Sequence, residues 1–194
     1  NSMKLLLAGM ALSAVCGAFS SFIVYFANNK EGMQTIAYWM MGSLAGAQWG
    51  ELAVIAPIIM ASILFFWTQS RVLNLMLLGD ESAITMGTDL HAYRQWYLLI
   101  SSLIVGFAVY SAGMIGFVGL IVPHVIRMFT GPDHKRLLPV AALVGAIFLV
   151  VADGLCRVII PHTELPIGIL ISMIGAPSFI YLMIKKTYGF GGSD

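Results

Sequence analysis

The amino-acid sequence predicts an all-α fold, a polytopic bundle of about six membrane helices that forms a single transmembrane domain over residues 1–194. The chain has 194 residues, of which 59% are hydrophobic and only 10% are charged, whereas about a quarter of the residues of a soluble domain are charged. Its apolar runs approach the ~20 residues that a helix needs to cross a bilayer. These runs lack the period-two alternation of a membrane β-barrel, so helices are the expected spanning elements.

The predicted membrane helices are separated by clusters of charged and turn-forming residues. The first run is too long for the apolar region of a signal peptide, so we do not expect a cleavable leader. The fourth run contains Pro123 and is the shortest. In chain order the predicted spans are Leu5–Ala27, Leu52–Trp67, Trp96–Ala112, Phe117–Met128, Leu137–Val158 and Ile167–Ile184.

The orientation of these spans follows from the 10 Lys and Arg residues, because positive charge is retained on the cytoplasmic side. With a cytoplasmic start and six crossings, the outer side receives only Lys30 and Arg157. This asymmetry supports counting the short fourth run as a crossing. The inner side receives the remaining basic residues, which are Lys4, Arg71, Arg94, Arg127, Lys135, Arg136, Lys185 and Lys186.

Two polar connections predict additional short helices outside the spans. Residues 70–90 predict a cytoplasmic helical pair in which Gly79 separates the helices, Asp80 caps the second and Gly87 ends it. This pair could be a docking surface or a simple interfacial loop, and its pattern favours neither. On the opposite side, residues 32–50 carry Tyr and Trp side chains typical of the membrane interface and predict a surface or re-entrant helix.

Charged residues near the membrane are the first candidates for a functional role. Asp153 and Arg157 lie four residues apart and predict an ion pair within one helix, although Arg157 could instead face an outside partner. His162 and Glu164 precede the last span, where helix capping explains them more simply than ligand binding does. The two cysteines lie in apolar runs and are predicted to be packing residues, Cys16 and Cys156.

The sequence carries no recognisable pattern for catalysis, a metal site or a bound cofactor. Metalloprotease, phosphate-loop and nucleophile-elbow patterns do not occur, and the predicted topology separates His124 and His134 from His162. A net charge of +1 argues against nucleic-acid binding. We therefore expect no enzymatic activity, no metal and no cofactor in this chain, and ATP energy would require a nucleotide site on another chain.

A resemblance to a known family emerges from several motifs in one order. Residues 112–127 read AGMIGFVGLIVPHVIR, which resembles the signature of FecCD-type ABC importer permeases for iron–siderophores, haem and vitamin B12. Family members have about ten membrane helices, so the resemblance implies a partial permease that corresponds to the fifth to tenth helices. The other similar motifs are LGD at 78–80, GPDHKRLLP at 131–139, AD at 152–153, ELPIG at 164–168 and GAPSF at 175–179.

The resemblance implies a multi-pass subunit of the bacterial cytoplasmic (inner) membrane that moves its cargo by alternating access. Its expected partners are a separate ATPase subunit, a second permease subunit, a periplasmic or lipoprotein substrate-binding protein and membrane lipid, but no nucleic acid. A self-contained secondary carrier or channel is the alternative. Arg157 matches an outward-facing arginine that docks the binding protein. Residues 70–90 match the coupling helices, and the implied ATPase contacts are Leu77, Gly79, Asp80, Ala83, Met86 and Gly87.

Overall fold

Helices are the only regular elements in the computed structural model over the residues that it describes, which are 2–26, 30–159 and 165–187. The predicted all-α class is therefore confirmed for these residues. The chain divides into two units, Asn1–Met40 and Met41–Asp194. The first unit contains α1 (Ser2–Phe26) and nearly all of α2 (Lys30–Met41). Helix α1 is predominantly apolar after Lys4, and large side chains such as Phe19 and Phe22 are exposed on it, as expected for a helix that faces lipid or other helices.

In the second unit, α3 (Trp49–Thr68) packs beside α6 (Leu90–Ala112). Between them lie two short helices, α4 (Ser70–Leu78) and α5 (Asp80–Thr85), as the sequence predicts. Helix α6 begins six residues before the predicted span, because the Asp89 carboxylate caps it by accepting a 2.9 Å hydrogen bond from the His91 N–H. Polar first turns of this kind are helical without being apolar, so a search for apolar runs misses them.

The remaining helices are α7 (Val118–Thr130), α8 (His134–Ile159) and α9 (Ile167–Thr187), and α7 packs against both of the others. Val122, Ile126 and Leu137 form a buried cluster between α7 and α8. A second buried cluster joins α8 to α9 and contains Cys156, so that cysteine is a packing residue as predicted. Cys16, in contrast, is exposed on α1. The members of the second cluster are Ala152, Cys156, Ile167 and Ile171.

Four helices among the described residues are long and apolar enough to cross a membrane. They are Leu7–Phe26, α3, α6 and α8, and each corresponds to a predicted span. The apolar parts of α7 and α9 are shorter, and proline lies inside both helices, at Pro123 and Pro177. The structure therefore confirms an all-helical membrane protein, while the total of six crossings stays a prediction.

Three backbone segments meet at one place in the second unit, which we call the glycine junction (residues 41–43, 112–115 and 167–168). Ser43 N–H donates a 2.9 Å hydrogen bond to the Ala112 carbonyl. Gly42 has φ +75°, and a Cβ there would lie 2.9 Å from the Met114 carbonyl oxygen. A Cβ on Gly168 would overlap the carbonyl oxygen of Met41. Only residues without a side chain allow this approach of backbones.

Candidate functional site

Helices α4 and α5 form the candidate docking site, and Gly79 fixes the angle between them. Gly79 has φ +90° and ψ 166°, a region of backbone conformation that is essentially restricted to glycine. The prediction that Asp80 caps α5 is wrong by one residue. Gly79 occupies the N-cap position without a side-chain hydrogen bond, and Asp80 is the first residue of the helix.

The chain makes a turn immediately after α5 and enters α6. Gly87, with φ +76°, donates its N–H to the Ile84 carbonyl at 2.9 Å. Thr88 N–H donates to the Ala83 carbonyl at 3.0 Å. These two bonds satisfy carbonyls at the end of α5 that have no partner within the helix. Helix α5 is therefore bounded by two short turns, one at Gly79 and one at Gly87.

Ala83 lies on the inner side of this pair. Its side chain is completely buried, with 0% relative exposure, and Leu90 of α6 is also buried, at 3%. Since no surface of Ala83 is accessible, it cannot contact a partner directly in this conformation. The burial of Ala83 does not support a direct contact in this conformation, and its role in ATPase binding stays a prediction.

The outer side of the pair presents large apolar side chains, which we call the exposed apolar row (Leu77, Leu78, Ile84 and Met86). Their exposures are 48%, 60%, 68% and 63%. Leu77 and Met86 are among the predicted ATPase contacts, whereas Leu78 and Ile84 are not. One pattern in the sequence indicates both residues: each is an apolar residue close to a glycine that ends a short helix, within an otherwise polar connection. Such a row outside the membrane spans is typical of a protein interface.

A polar cluster joins α4 to the beginning of α8. The Asn74 amide Nδ2–H donates to Asp133 Oδ1 at 2.7 Å, and its Oδ1 accepts from the His134 backbone N–H at 2.9 Å. The orientation of the amide is fixed, because a carboxylate can only accept and a backbone N–H can only donate. His134 Nδ1 also lies 2.8 Å from Asn74 Oδ1, so Nδ1 carries the proton in this contact.

Asp133 has a second role at the beginning of α8. Its Oδ1 atom accepts from the Lys135 N–H at 3.0 Å, and its carbonyl oxygen accepts from the Leu137 N–H at 2.9 Å, which is the pattern of an N-cap. The hydrogen bond from Asn74 and that from the Lys135 N–H lower the pKa of the Asp133 carboxyl from its ordinary value. Asp133 and Asn74 were not selected from the sequence, because 59 residues separate them.

The other predicted docking residue, Arg157, lies near the opposite end of α8. Arg157 Nε donates to Asp153 Oδ2 at 2.8 Å, which confirms the predicted ion pair. The pair leaves 49% of the Arg157 side chain exposed. The expected capping residues His162 and Glu164 lie outside the described residues. In the parts of the chain that the structure covers, no three His, Cys, Asp or Glu side chains come together as a metal site would require.

Residues 1–185 match the sequence model of the FecCD transport family. The chain belongs to this family. Because FecCD proteins are transport permeases, the chain is grouped with transporters and not with enzymes. The apolar helices and the related permeases place it in the cytoplasmic membrane, as predicted.

Individual relatives support the same grouping. The hemin transport system permease HmuU of Yersinia pestis is 41% identical over 186 residues, covering 96% of this chain and 55% of the relative. The vitamin B12 import system permease BtuC of Citrobacter koseri is 38% identical, with coverages of 96% and 56%. The cobalamin import system permease BtuC of Halobacterium salinarum is 41% identical, with coverages of 92% and 47%. The chain thus spans about half the length of the curated relatives it matches.

A solved structure has the same arrangement of helices. It is a metal-chelate type ABC transporter in an inward-facing conformation, 34% identical in sequence, and it superposes with a TM-score of 0.88. The superposition covers 94% of this chain and 59% of the other. This agreement extends the relationship from sequence to fold over nearly the whole of this FecCD chain.

Proposed function

We propose that this chain supplies the fifth to tenth membrane helices of a permease subunit in an ABC importer. The proposed cargo is an iron–siderophore, haem or cobalamin-type metal chelate, moved by alternating access that a separate ATPase subunit drives. The observation that carries the proposal is the exposed apolar row on α4 and α5 in a FecCD chain whose relatives are hemin and vitamin B12 permeases. A second permease subunit completes the translocation path between two copies.

The geometry of α4 and α5 supports docking of an ATPase subunit on the cytoplasmic side. Three large apolar side chains are exposed on α4 and α5, which are not membrane spans, and Met86 is exposed immediately after α5. Burying them against a partner would gain about 25 cal/mol per Å² of apolar surface. The backbone that presents them is fixed by Gly79 and by the turn at Gly87, so docking would cost little ordering of the chain.

The proposal also treats α7 and α9 as crossings, giving six in all. Helix α9 has 21 residues, which corresponds to about 32 Å at 1.5 Å per residue. Helix α7 has only 13 residues, or about 20 Å. The non-helical residues 113–117 precede it, with Gly113 buried, and a Cβ on Gly175 of α9 would lie 2.8 Å from the Phe117 Cβ. Non-helical backbone is tolerated at membrane depth where protein covers it, which holds here for Gly113, whereas Gly116 is exposed.

On the outer side, we place the contact for the substrate-binding protein at Arg157. Half of its side chain is exposed beside Asp153, so an acidic residue of the binding protein could reach it. A guanidinium group can bind two carboxylates at once because it has five N–H donors. Residues 32–50 are placed on the same side as a surface or re-entrant helix.

The ATPase assignment is tested by co-purifying the tagged permease with the ATP-binding cassette subunit of its transporter. We expect that Leu77→Lys together with Met86→Lys reduces the bound ATPase at least tenfold. The matched control is His91→Lys, at an exposed residue in the first turn of α6, and it should leave the ATPase bound. Unchanged association of the double variant would refute Leu77 and Met86 as ATPase contacts, whereas ion-driven uptake without any ATPase would favour a secondary carrier or channel instead.

The outer contact is tested by measuring the affinity of the binding protein for the permease in nanodiscs. Arg157→Glu should weaken binding, because it reverses the charge that faces an acidic partner, and the effect should shrink at high salt. Asp153→Asn removes the neighbouring charge and keeps Arg157, so it should preserve binding. Equal affinity of the Arg157→Glu variant and the unmodified protein at low salt would refute the assignment.

A further inference from the structure

Helix α4 and the end of α3 are joined to α8 by a group of long-range hydrogen bonds, which we call the α4–α8 bridge (Trp67, Asn74, Asp133, His134 and Lys135). Asn74 contributes the first part. It donates to the Asp133 carboxylate at 2.7 Å and accepts from the His134 N–H at 2.9 Å. Both of these partners belong to the first residues of α8 or to its cap. Asn74 and both of its partners are partly buried.

Trp67 contributes the second part from the end of α3. Pro139 lies inside α8, and it has no N–H to donate to the carbonyl four residues earlier, which belongs to Lys135. The Trp67 indole Nε1–H donates to that carbonyl at 3.0 Å. The proline therefore leaves an acceptor open in the first turn of α8, and a side chain from α3 satisfies it.

Hydrogen bonds hold the beginning of α8, whereas apolar packing holds its other end. Helix α8 is continuous over 26 residues, or about 39 Å. Near its far end, the buried cluster that contains Ala152 and Cys156 packs against Leu44, beside the glycine junction, and against Ile115 within it. One uninterrupted helix thus connects the docking pair to the junction and to Arg157.

We propose that Asn74 and Trp67 are positioning residues that make α4 and the adjoining end of α3 move as one body with α8. The inference rests on the proposed function, since the motion would begin when an ATPase subunit displaces the docking pair. The α4–α8 bridge would carry that displacement into α8 and along it toward the outer face. In this role neither residue contacts the cargo or the ATPase.

The test measures the distance between spin labels on the permease in nanodiscs, without and with the ATPase subunit. The labels are introduced by Arg71→Cys on α4 and Leu143→Cys on α8, because both residues are exposed, and Cys16→Ser removes the exposed native cysteine. We expect one narrow distance that does not change when the ATPase binds ATP. Asn74→Ala should broaden or shift the distribution, and Trp67→Phe should do so to a smaller extent.

A charge exchange provides the conservative variant. Asn74→Asp places a carboxylate opposite the Asp133 carboxylate and should broaden the distance distribution. Adding Asp133→Asn restores a donor and acceptor pair between the two positions and should narrow it again. Gln69→Ala is the matched control: it removes a 3.0 Å bond from the Tyr97 hydroxyl, which joins the start of α4 to α6 and not to α8.

The functional readout is cargo transported per ATP hydrolysed in proteoliposomes. With Asn74→Ala we expect bound ATPase and hydrolysis near those of the unmodified protein, and at least a fivefold loss of transport per ATP. An unchanged label distance in that variant, or uptake that falls only in proportion to hydrolysis, would overturn the inference. If no ATPase binds even the unmodified permease, the proposed function fails, and the label distances in the permease alone still decide whether the bridge joins α4 to α8.

Discussion

The glycine junction and the docking pair both depend on glycine, but for different physical reasons. At the junction, Gly168 is required for space, because a Cβ there would overlap the backbone of another segment. In the docking pair, a Cβ on Gly79 would have nothing within 4 Å, so this glycine is required only for its backbone angles, φ +90° and ψ 166°. One region is held by close packing and the other by turn geometry and side-chain hydrogen bonds.

The glycine junction is therefore suited to staying rigid, whereas the docking pair is suited to binding a partner. Backbone segments in direct contact cannot shift without losing many contacts together. The docking pair has open space around its turns and an exposed apolar row, and hydrogen bonds to Asn74 hold it from one side. A partner can therefore reach it without disturbing the packed part of the fold. Three substitutions sharpen this comparison.

The largest effect is expected from Gly168→Ala. The added methyl group meets the Met41 carbonyl and lies 3.3 Å from the Met114 carbonyl oxygen, and backbone cannot move aside as a flexible side chain can. We expect a destabilisation of about 3 kcal/mol, the upper range for overpacking. Thermal unfolding in detergent, followed by tryptophan fluorescence, measures it.

The matched control is Gly154→Ala in α8, where a Cβ would have nothing within 4 Å. Alanine favours a helix interior over glycine by up to about 1 kcal/mol, so this variant should unfold at the same or a higher temperature. Similar losses from both substitutions would show that space at the junction is not what Gly168 provides.

An intermediate effect is expected from Gly79→Ala, with strain of about 2 kcal/mol confined to the docking pair. Gly79→Asn should be no better, because asparagine tolerates the left-handed helical region near ψ of about +47°, whereas Gly79 has ψ 166°. Faster hydrogen exchange at amides 80–88, with the rest of the chain unchanged, is the expected measurement. Gly116→Ala, at an open position without a positive φ, should leave that exchange as it is; rescue by asparagine would contradict the backbone argument.

The smallest effect is expected from acid acting on Asp133. Hydrogen bonds lower the pKa of this carboxyl below its ordinary 3.8, so the folded state binds its proton less readily than the unfolded state does. Asp133 therefore stabilises the fold at pH values above about 4, and this contribution is lost as the pH falls through the lowered pKa. Asp133→Asn keeps an oxygen that accepts hydrogen bonds but removes the carboxyl group that titrates.

The measurement compares unfolding temperatures of the unmodified protein and Asp133→Asn between pH 7 and pH 3. The advantage of the unmodified protein should be greatest near neutral pH and should disappear at the acidic end. A difference that stays constant over this range would show that the Asp133 charge does not contribute through these hydrogen bonds.

Much of the architecture follows from local features of the sequence. Apolar length and charge clusters predict four helices that meet the criteria for crossing a membrane, and Gly79 and Gly87 correctly mark the ends of the two short helices. The i, i+4 spacing of Asp153 and Arg157 correctly predicts their ion pair. These features are predictable because helix length, turns and neighbours on one helix face depend on residues close in the chain.

The tertiary structure alone decided which of the predicted docking residues face outward and what supports them. Ala83 is buried while Ile84 beside it is 68% exposed, a distinction that depends on where α6 packs. The bonds of Asn74 with Asp133 and of Trp67 with Lys135 join residues 59 and 68 positions apart. The physical reason is that burial and hydrogen bonding between distant residues exist only once the helices have packed, so no local pattern encodes them.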